Sequence, residues 1–232
     1  MTTVEEKIIK KIYNNRISTS QVSDCLGKTG ALRNVTPINF GHFRAGRVRF
    51  AYAYNCSNWE LHEQLQDVQP GEVVVVEAID CGDYAVFGQL VTKFLILYRN
   101  AAAVIVNGLL RDHGELRQWN WPAWSRGFTP IGCYNVKNET PPDPELLAEL
   151  RQRYEGTIAV CDDSGVVIIP KEDIKEEFLE KLDVIEIQED AWFHSIDTDK
   201  FTTYETVCLR KYLSKGSVFS RYDKLKKDLG SA

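Results

Sequence analysis

The run Val73-Val74-Val75-Val76 constrains this chain more than any other stretch. Four consecutive β-branched apolar residues offer no polar face, so the strand they form must be covered on both sides. A second apolar run, Ala101 to Val106, follows a segment with helical spacing. Buried strands that alternate with helices point to an α/β fold containing parallel strands.

The flanking segments fill in that outline. Met1 to Lys11 is charged and reads as a helix, without the apolar core of a signal segment. Ser18-Thr-Ser-Gln21 has the form of a capping box, opening a short helix that ends at Gly27. Val48 to Tyr54 alternates like a strand. Ser57-x-x-Glu60 suggests a second capping box, with Leu61, Leu65 and Val68 along one face. Pro70-Gly71 reads as a turn. Val86 to Tyr98 reads as a single helix with Leu90, Phe94 and Leu97 on its apolar stripe, and Gly108 as a turn after the second buried strand. Asp143-Pro144 starts another helix, with proline at its first position. Thr157 to Cys161 and Val166 to Ile169 flank the turn residues Asp162-Asp-Ser-Gly165, a hairpin in which Asp162 and Asp163 are expected as turn formers. Pro170 introduces a charged helix to about Leu182 with a solvated face.

The 232 residues, 44% of them hydrophobic and 26% charged, suit one large α/β domain, or one domain plus a small appendage. The expected division is a single domain over 1–194 and a tail or arm over 195–232. No run of 18 apolar residues occurs, so no membrane-spanning helix is expected. A formal net charge of −5 argues against nucleic acid or an anionic membrane as the main partner. Cysteines stand at 25, 56, 81, 133, 161 and 208 with no CxxC spacing, which fits free, mostly core thiols in a cytoplasmic protein.

The residues with the most chemistry are Arg111, Asp112 and Glu115, just beyond the second buried strand, and Gly88-Gln89-Leu90-Val91 some twenty residues earlier. The carboxylate of Asp112 is suited to a divalent metal and the guanidinium of Arg111 to an oxyanion. A helix starting at Gly88 would present free N–H groups to an anionic ligand. His113 reads as a loop residue and His62 as a helix residue. The cluster Trp119, Trp121 and Trp124 reads as core or interface.

In this order and spacing the fragments resemble the RraA-like family, which includes the class II 4-hydroxy-4-methyl-2-oxoglutarate aldolases. The resemblance runs over roughly residues 15 to 172. Its fragments are Ser23-Asp24-x-Leu26, Pro70-Gly71-Glu72-Val73-Val74-Val75, Gly88-Gln89-Leu90, Val104-Ile-Val-Asn-Gly108, Arg111-Asp112-x-x-Glu115, Pro122-x-x-x-Arg126-Gly127 and Asp162-Asp-x-Gly165-Val166-Val167 before Pro170. It implies a β/β/α swivelling-domain sandwich with a mixed sheet. It also implies a homotrimer or hexamer with the active site at a subunit interface. Some members of the family are aldolases and decarboxylases, and others are regulators that bind a protein such as a ribonuclease. Asp112 and Glu115 place this chain with the catalytic branch. The family's aldolases often carry an acidic residue after the helix-start glycine. Here that position is Gln89, which hydrogen-bonds but supplies no negative charge, and the interval to Arg111 is one residue longer than usual.

By this resemblance the substrate is a small 2-oxo acid. It is cleaved by retro-aldol reaction of a 4-hydroxy-2-oxo acid, or decarboxylated in the case of oxaloacetate, through a pyruvate enolate. Mg²⁺ or Mn²⁺ would be held directly by Asp112 and through water by Glu115. Arg111 would take the 2-oxo oxygen, and the N–H groups of Leu90 and Val91 the carboxylate. A metal-bound water, or next His113, would serve as base. Two other readings are a regulator without catalysis and a same-site enzyme for a larger, sugar-derived acid, the second suggested by Trp119 to Trp124.

Overall fold

The computed structural model describes residues 2–214. In chain order its strands are β1 (Thr36–Pro37), β2 (Arg44–Tyr54), β3 (Val73–Ile79), β4 (Ala85–Phe87), β5 (Ala103–Leu110), β6 (Ala123–Phe128), β7 (Ile158–Asp162) and β8 (Gly165–Ile169). The helices are α1 (Val4–Asn15), α2 (Thr19–Cys25), α3 (Trp59–Gln64), α4 (Gln89–Lys93), α5 (His113–Gln118), α6 (Pro144–Tyr154) and α7 (Glu176–Asp197). By contacts the chain divides into units 1–175 and 176–232. The boundary expected after residue 194 falls inside α7. Among the described residues no helix is long and apolar enough to cross a membrane.

In the first unit the two apolar runs become neighbours: β3 pairs in parallel with β5, and Val73 to Val76 and Val104 to Val106 are all fully buried. The sheet runs β1-β6-β5-β3-β2-β7-β8, with β4 beside β5. It is mixed. The pairs β2–β3, β3–β5, β4–β5 and β5–β6 are parallel; β1–β6, β2–β7 and β7–β8 are antiparallel. Strand β2 belongs to both halves. Its first part, Arg44 to Arg47, pairs with β7, and Val48 to Tyr54 pairs with β3. Gly46 lies where the two meet, and a Cβ there would stand 2.6 Å from the Gly71 carbonyl oxygen. The far edge curls back: the Leu32 N–H donates to Val166 O at 2.9 Å and the Ile168 N–H to Gly30 O at 2.8 Å.

Alternation along β3 and β5 sends side chains into two cores. Val74, Val76, Val104 and Val106 pack with Leu61, Leu65, Val91, Leu95 and Leu116 from the helical side. Val73, Val75, Ala103 and Ile105 pack with Trp124, Tyr154, Ala159, Cys161 and Ile168, largely from other strands and α6. Strand layers on one side and helices on the other make the β/β/α arrangement.

Several local expectations need correction. Val86 to Tyr98 is not one helix. Val86 and Phe87 belong to β4, α4 starts at Gln89, and Phe94 to Tyr98 continues it as a π-turn. The inward face is Val91, Thr92 and Leu95, whereas Leu90, Phe94 and Leu97 are 79%, 39% and 51% exposed. Periodicity locates an apolar stripe but not which side of the helix is anchored, and here the Thr92 hydroxyl donates to Gly88 O at 3.0 Å. Gly108 is no turn. The strand continues to Leu110 with a register shift, and a Cβ at Gly108 would stand 2.5 Å from the Ala78 Cβ.

Ser57 and Glu60 form no capping box, since the N-cap of α3 is Asn58 and has no side-chain cap bond. The Ser57 Oγ instead lies 3.0 Å and 2.5 Å from the carbonyl oxygens of Tyr134 and Val136. Glu60 accepts from the Asn138 N–H at 2.8 Å and from Asn138 Nδ2 at 3.0 Å. Both residues hold the segment 134–138. After Pro170 only a 3₁₀ turn, Lys171–Asp173, forms. The charged helix begins at Glu176 and runs to Asp197, well past Leu182. In this second unit α7 buries Phe178, Leu182, Ile185 and Ala191, and Gln188 Nε2 lies 3.5 Å from the buried Tyr212 hydroxyl.

The capping box at Ser18 forms as expected, and its helix is tied to the hairpin. Asp162 is more than a turn former: its carboxylate accepts from the Thr19 N–H (2.8 Å), the Thr19 hydroxyl (2.7 Å) and the Ser164 N–H (2.8 Å). Asp163 accepts one bond, from the exposed Gly41 N–H. Bonds to a charged acceptor contribute about 1.5–3 kcal/mol each where they are sheltered. Asp162→Ala should therefore lower unfolding free energy by about 2–4 kcal/mol, and Asp163→Ala by less than about 1 kcal/mol, as measured by urea denaturation.

Candidate functional site

Strands β4 and β5 run in parallel and end side by side, which brings two distant chain segments together. The Arg111 N–H donates to Phe87 O at 3.0 Å. The next residue, Asp112, takes a left-handed conformation (φ 60°, ψ 42°) that turns the chain into α5. Its side chain does not cap its own helix. It reaches across to α4 instead, where Oδ2 accepts the Gln89 N–H at 2.9 Å. Gly88 makes this possible: a Cβ there would stand 2.1 Å from Asp112 Oδ2 and 2.7 Å from Arg111 Cγ.

Gly88, Gln89, Arg111 and Asp112 thus form one constellation. Arg111 Nε lies 3.8 Å from Asp112 Oδ2, with the side chains 52% and 37% exposed. At that distance and exposure the pair is screened and adds little to stability. Both charges are left available to a ligand. Asp112 Oδ1 accepts no hydrogen bond among the described residues. The first N–H groups of α4, including those of Leu90 and Val91, have no partner carbonyl inside the helix. Glu115 is exposed one turn into α5. The ring of His113 stacks on Phe128, with centroids 3.9 Å apart.

A metal site of the sort the resemblance implies has to be judged on this donor set. Among the described residues no three His, Cys, Asp or Glu side chains converge as a ready-made cage. The free oxygen of a half-exposed Asp112, with Glu115 at the next turn, does fit a hard cation that keeps several of its waters. It would not fit zinc, which is normally held by three or four protein ligands.

One neighbour of the site has no signal in the local sequence. The segment Ile131 to Tyr134 lies along β4: the Ala85 N–H donates to Ile131 O at 2.7 Å and the Cys133 N–H to Ala85 O at 2.9 Å. A Cβ on Gly132 would stand 2.7 Å from Arg111 Nη1, so glycine leaves the guanidinium its room beside that segment. The tryptophans separate: Trp124 is fully buried with its Nε1–H donating to Asp162 O (2.9 Å), Trp121 is buried, and Trp119 is 54% exposed and stacked on Trp121.

A second polar cluster lies on the sheet face covered by α6. Asn107 Nδ2 donates to both oxygens of the buried Glu77, at 2.7 and 2.8 Å, and the Tyr154 hydroxyl donates to Glu77 Oε1 at 2.5 Å. Burial, then the charge of Glu77 and the hydrogen bond to it, push the Tyr154 phenol well above its ordinary value. A raised folded-state pKa means that the folded protein keeps a proton the unfolded chain releases. The stability from Tyr154 is therefore fully present below about pH 10 and declines as pH rises beyond it. Tyr154→Phe should cost about 1–2 kcal/mol at neutral pH and flatten the alkaline loss of stability, as read from urea midpoints between neutral and strongly alkaline pH.

The contact at Gly88 is testable in the same way. Gly88→Ala should lower stability by about 1–3 kcal/mol through overpacking. Gly114→Ala, with open space around its Cβ, should be neutral or stabilise α5 by up to about 1 kcal/mol.

Comparison with known proteins agrees with this architecture. The family model described as RraA-like, Aldolase/RraA, matches residues 19–168. A protein of Halalkalibacterium halodurans named "Putative 4-hydroxy-4-methyl-2-oxoglutarate aldolase" is 25% identical over 214 residues, covering 86% of this chain and 91% of that protein. A crystal structure of an uncharacterized protein from Pseudomonas syringae superposes with a TM-score of 0.67 at 21% identity, over 90% of this chain and 96% of the other. Streptomyces coelicolor RraAS2, described as an unusual member of the RNase ES inhibitor RraA protein family, gives 0.60 at 20% identity, over 80% and 95%. At these identities the solved structures bear on the fold alone. The family match spans well over half of the sequence and contains both halves of the Gly88–Asp112 constellation, and the chain belongs to the RraA-like family.

Proposed function

We propose that this protein is a divalent-metal-dependent carbon–carbon lyase acting on a small 2-oxo acid. Its reactions are cleavage of a 4-hydroxy-2-oxo acid to pyruvate and decarboxylation of oxaloacetate. The observation that carries this reading is the Gly88–Gln89–Arg111–Asp112 constellation, in which a cation, a carboxylate with one free oxygen and helix-start N–H groups share one place. The name of the Halalkalibacterium relative supports the same class.

Both reactions break a bond to C3 of the substrate and leave the electron pair on an enolate, so one site serves both. The main barrier is charge developing on the 2-oxo oxygen, and a group that meets that charge lowers it. Arg111 is the residue for this, with its guanidinium beside Gly132, where a Cβ would stand 2.7 Å from Nη1. The N–H groups of Leu90 and Val91 take the substrate carboxylate. Asp112 would hold Mg²⁺ or Mn²⁺, with Glu115 assisting through water, and the ion would supply Lewis-acid stabilisation. Gln89 offers an amide where a carboxylate would add charge, which predicts weak metal affinity. His113, packed on Phe128, is fixed close to Asp112 in sequence and is the side-chain candidate for proton transfer.

The exposed residues Leu90, Phe94, Leu97 and Tyr98 make an apolar face on α4 and its π-turn. That face supports self-association, and a trimer or hexamer in the cytoplasm is what the family resemblance implies.

The test is pyruvate release from oxaloacetate, coupled to lactate dehydrogenase, in Mg²⁺ and then in EDTA. Metal-dependent release should fall about 10²-fold or more in Arg111→Ala and in Asp112→Ala, with the unfolding midpoint close to wild type in Arg111→Ala and lowered in Asp112→Ala, which also loses the bond from the Gln89 N–H. No pyruvate from oxaloacetate or any 4-hydroxy-2-oxo acid, with the protein folded, would overturn the reading in favour of a protein-binding regulator.

A further inference from the structure

The segment beside β4 carries an aromatic pair next to the candidate site. Residues 131–134 run extended, with hydrogen bonds on both sides. On one side the Ala85 N–H donates to Ile131 O at 2.7 Å and the Cys133 N–H to Ala85 O at 2.9 Å. On the other the Tyr134 N–H donates to Cys56 O at 2.8 Å and the Asn58 N–H to Tyr134 O at 3.0 Å. Gly132 bridges to Ala85 and Tyr134 to Ser57. Side chains alternate along such a stretch, so positions 132 and 134 face one way and 133 the other. Cys133 packs against the apolar core. Tyr134 therefore points away from the core, to the side on which the Arg111 side chain lies next to Gly132.

The Tyr134 ring is 60% exposed and meets the ring of half-buried Tyr84, just before β4, with centroids 5.7 Å apart and planes inclined by 39°. Ile131 and Val136 on the same segment are also exposed. Residues two apart in an extended chain are separated by about 7 Å, so Tyr134 stands one such step from the glycine beside the guanidinium. A 2-oxo acid with its 2-oxo oxygen at Arg111 carries C4 three bonds from that oxygen, and a group on C4 spans the step. The surroundings disfavour a second carboxylate there. Asp80 and Asp83, both exposed, stand in the turns that lead into Tyr84, and like charges repel. An uncharged apolar group would instead cover ring surface that now faces water.

We propose that Tyr84 and Tyr134 form the wall that receives the C4 substituent of the substrate, and that this substituent is an uncharged aromatic ring. The inference rests on the lyase reading above and narrows it: the substrate is a 4-aryl-4-hydroxy-2-oxo acid, and the products are pyruvate and an aromatic aldehyde. In the cleavage the C4 hydroxyl gives up its proton and its oxygen becomes the aldehyde carbonyl. The C3–C4 bond breaks, its electron pair passes to the enolate, and the enolate takes a proton at C3. Two tilted rings offer a third ring both a face and an edge, the arrangements in which aromatic side chains attract one another.

The test separates binding from turnover. 4-Phenyl-2-oxobutanoate carries a ring on C4 but no hydroxyl, so it binds without being cleaved. 2-Oxoglutarate carries a carboxylate at the same place, and 2-oxobutanoate carries nothing there. By calorimetry with the full-length protein in Mg²⁺, the phenyl acid should bind about tenfold more tightly than 2-oxobutanoate. Tyr134→Ala should remove that margin at an unchanged melting temperature, and Tyr134→Phe should keep it. Equal affinity for the two acids would overturn the proposal, as would a margin that survives in both Tyr134→Ala and Tyr84→Ala. So would tighter binding of 2-oxoglutarate, which would assign the wall, with the exposed Lys137, to a dicarboxylate. In turnover, 4-hydroxy-2-oxo-4-phenylbutanoate should yield pyruvate and benzaldehyde, and its kcat/KM relative to that of oxaloacetate should fall about tenfold in Tyr134→Ala. Pyruvate from oxaloacetate but not from the phenyl substrate would overturn the proposal alone. Pyruvate from neither would overturn the lyase reading, and the calorimetric margin would then decide the aromatic wall by itself.

Discussion

The hydrogen bond from the Gln89 N–H to the Asp112 carboxylate is the contact on which the site depends, and it exists because residue 88 has no side chain. It joins the end of β4 to the end of β5 and sets where α4 and α5 start. Its two sides have different requirements. On the α4 side an orphan helix-start N–H needs an acceptor. On the α5 side Asp112 must leave the usual backbone regions, which aspartate tolerates better than most residues. Once the contact is made, one carboxylate oxygen is engaged and the other accepts no hydrogen bond among the described residues. The residue that reads as a metal ligand in the sequence is thus a brace between two helix starts.

The sheet gives that brace a rigid frame. Strands β3 and β5 are apolar on both faces, so neither can shift register without exposing valines. β2 extends the frame by serving two sheets along its length, parallel to β3 at one end and antiparallel to β7 at the other. The Asp162 carboxylate then ties the β7–β8 hairpin to the start of α2. Residues far from the site in sequence therefore hold its geometry through a continuous set of strand pairings.

What was legible in the sequence follows the range of the interactions. The α/β class, the buried strands, the Ser18 capping box, the Asp143-Pro144 helix start and the 162–165 hairpin all rest on residues within a few positions of one another, and the structure contains each of them. The stripe Leu90, Phe94 and Leu97 was misread because an amphipathic period does not say which face is held inward. That is decided by Val91, Thr92 and Leu95 meeting the sheet. Ser57 and Glu60 have the spacing of a cap but bind the 134–138 segment instead, a partner no local rule contains. In the site, the Arg111-Asp112 pair and Gly88 stood out as chemistry and as a helix start. Gly132 did not, because it is brought to Arg111 by the pairing of residues 131–133 with Ala85 of β4.

That same segment is anchored on both sides of Gly132. Ser57 and Glu60 hold it at residues 134, 136 and 138, and Ala85 holds it at residues 131 and 133, so between these points it has little freedom. Gly132 lies between these points, and a Cβ there would stand 2.7 Å from Arg111 Nη1, so the space beside the guanidinium depends on glycine at this position.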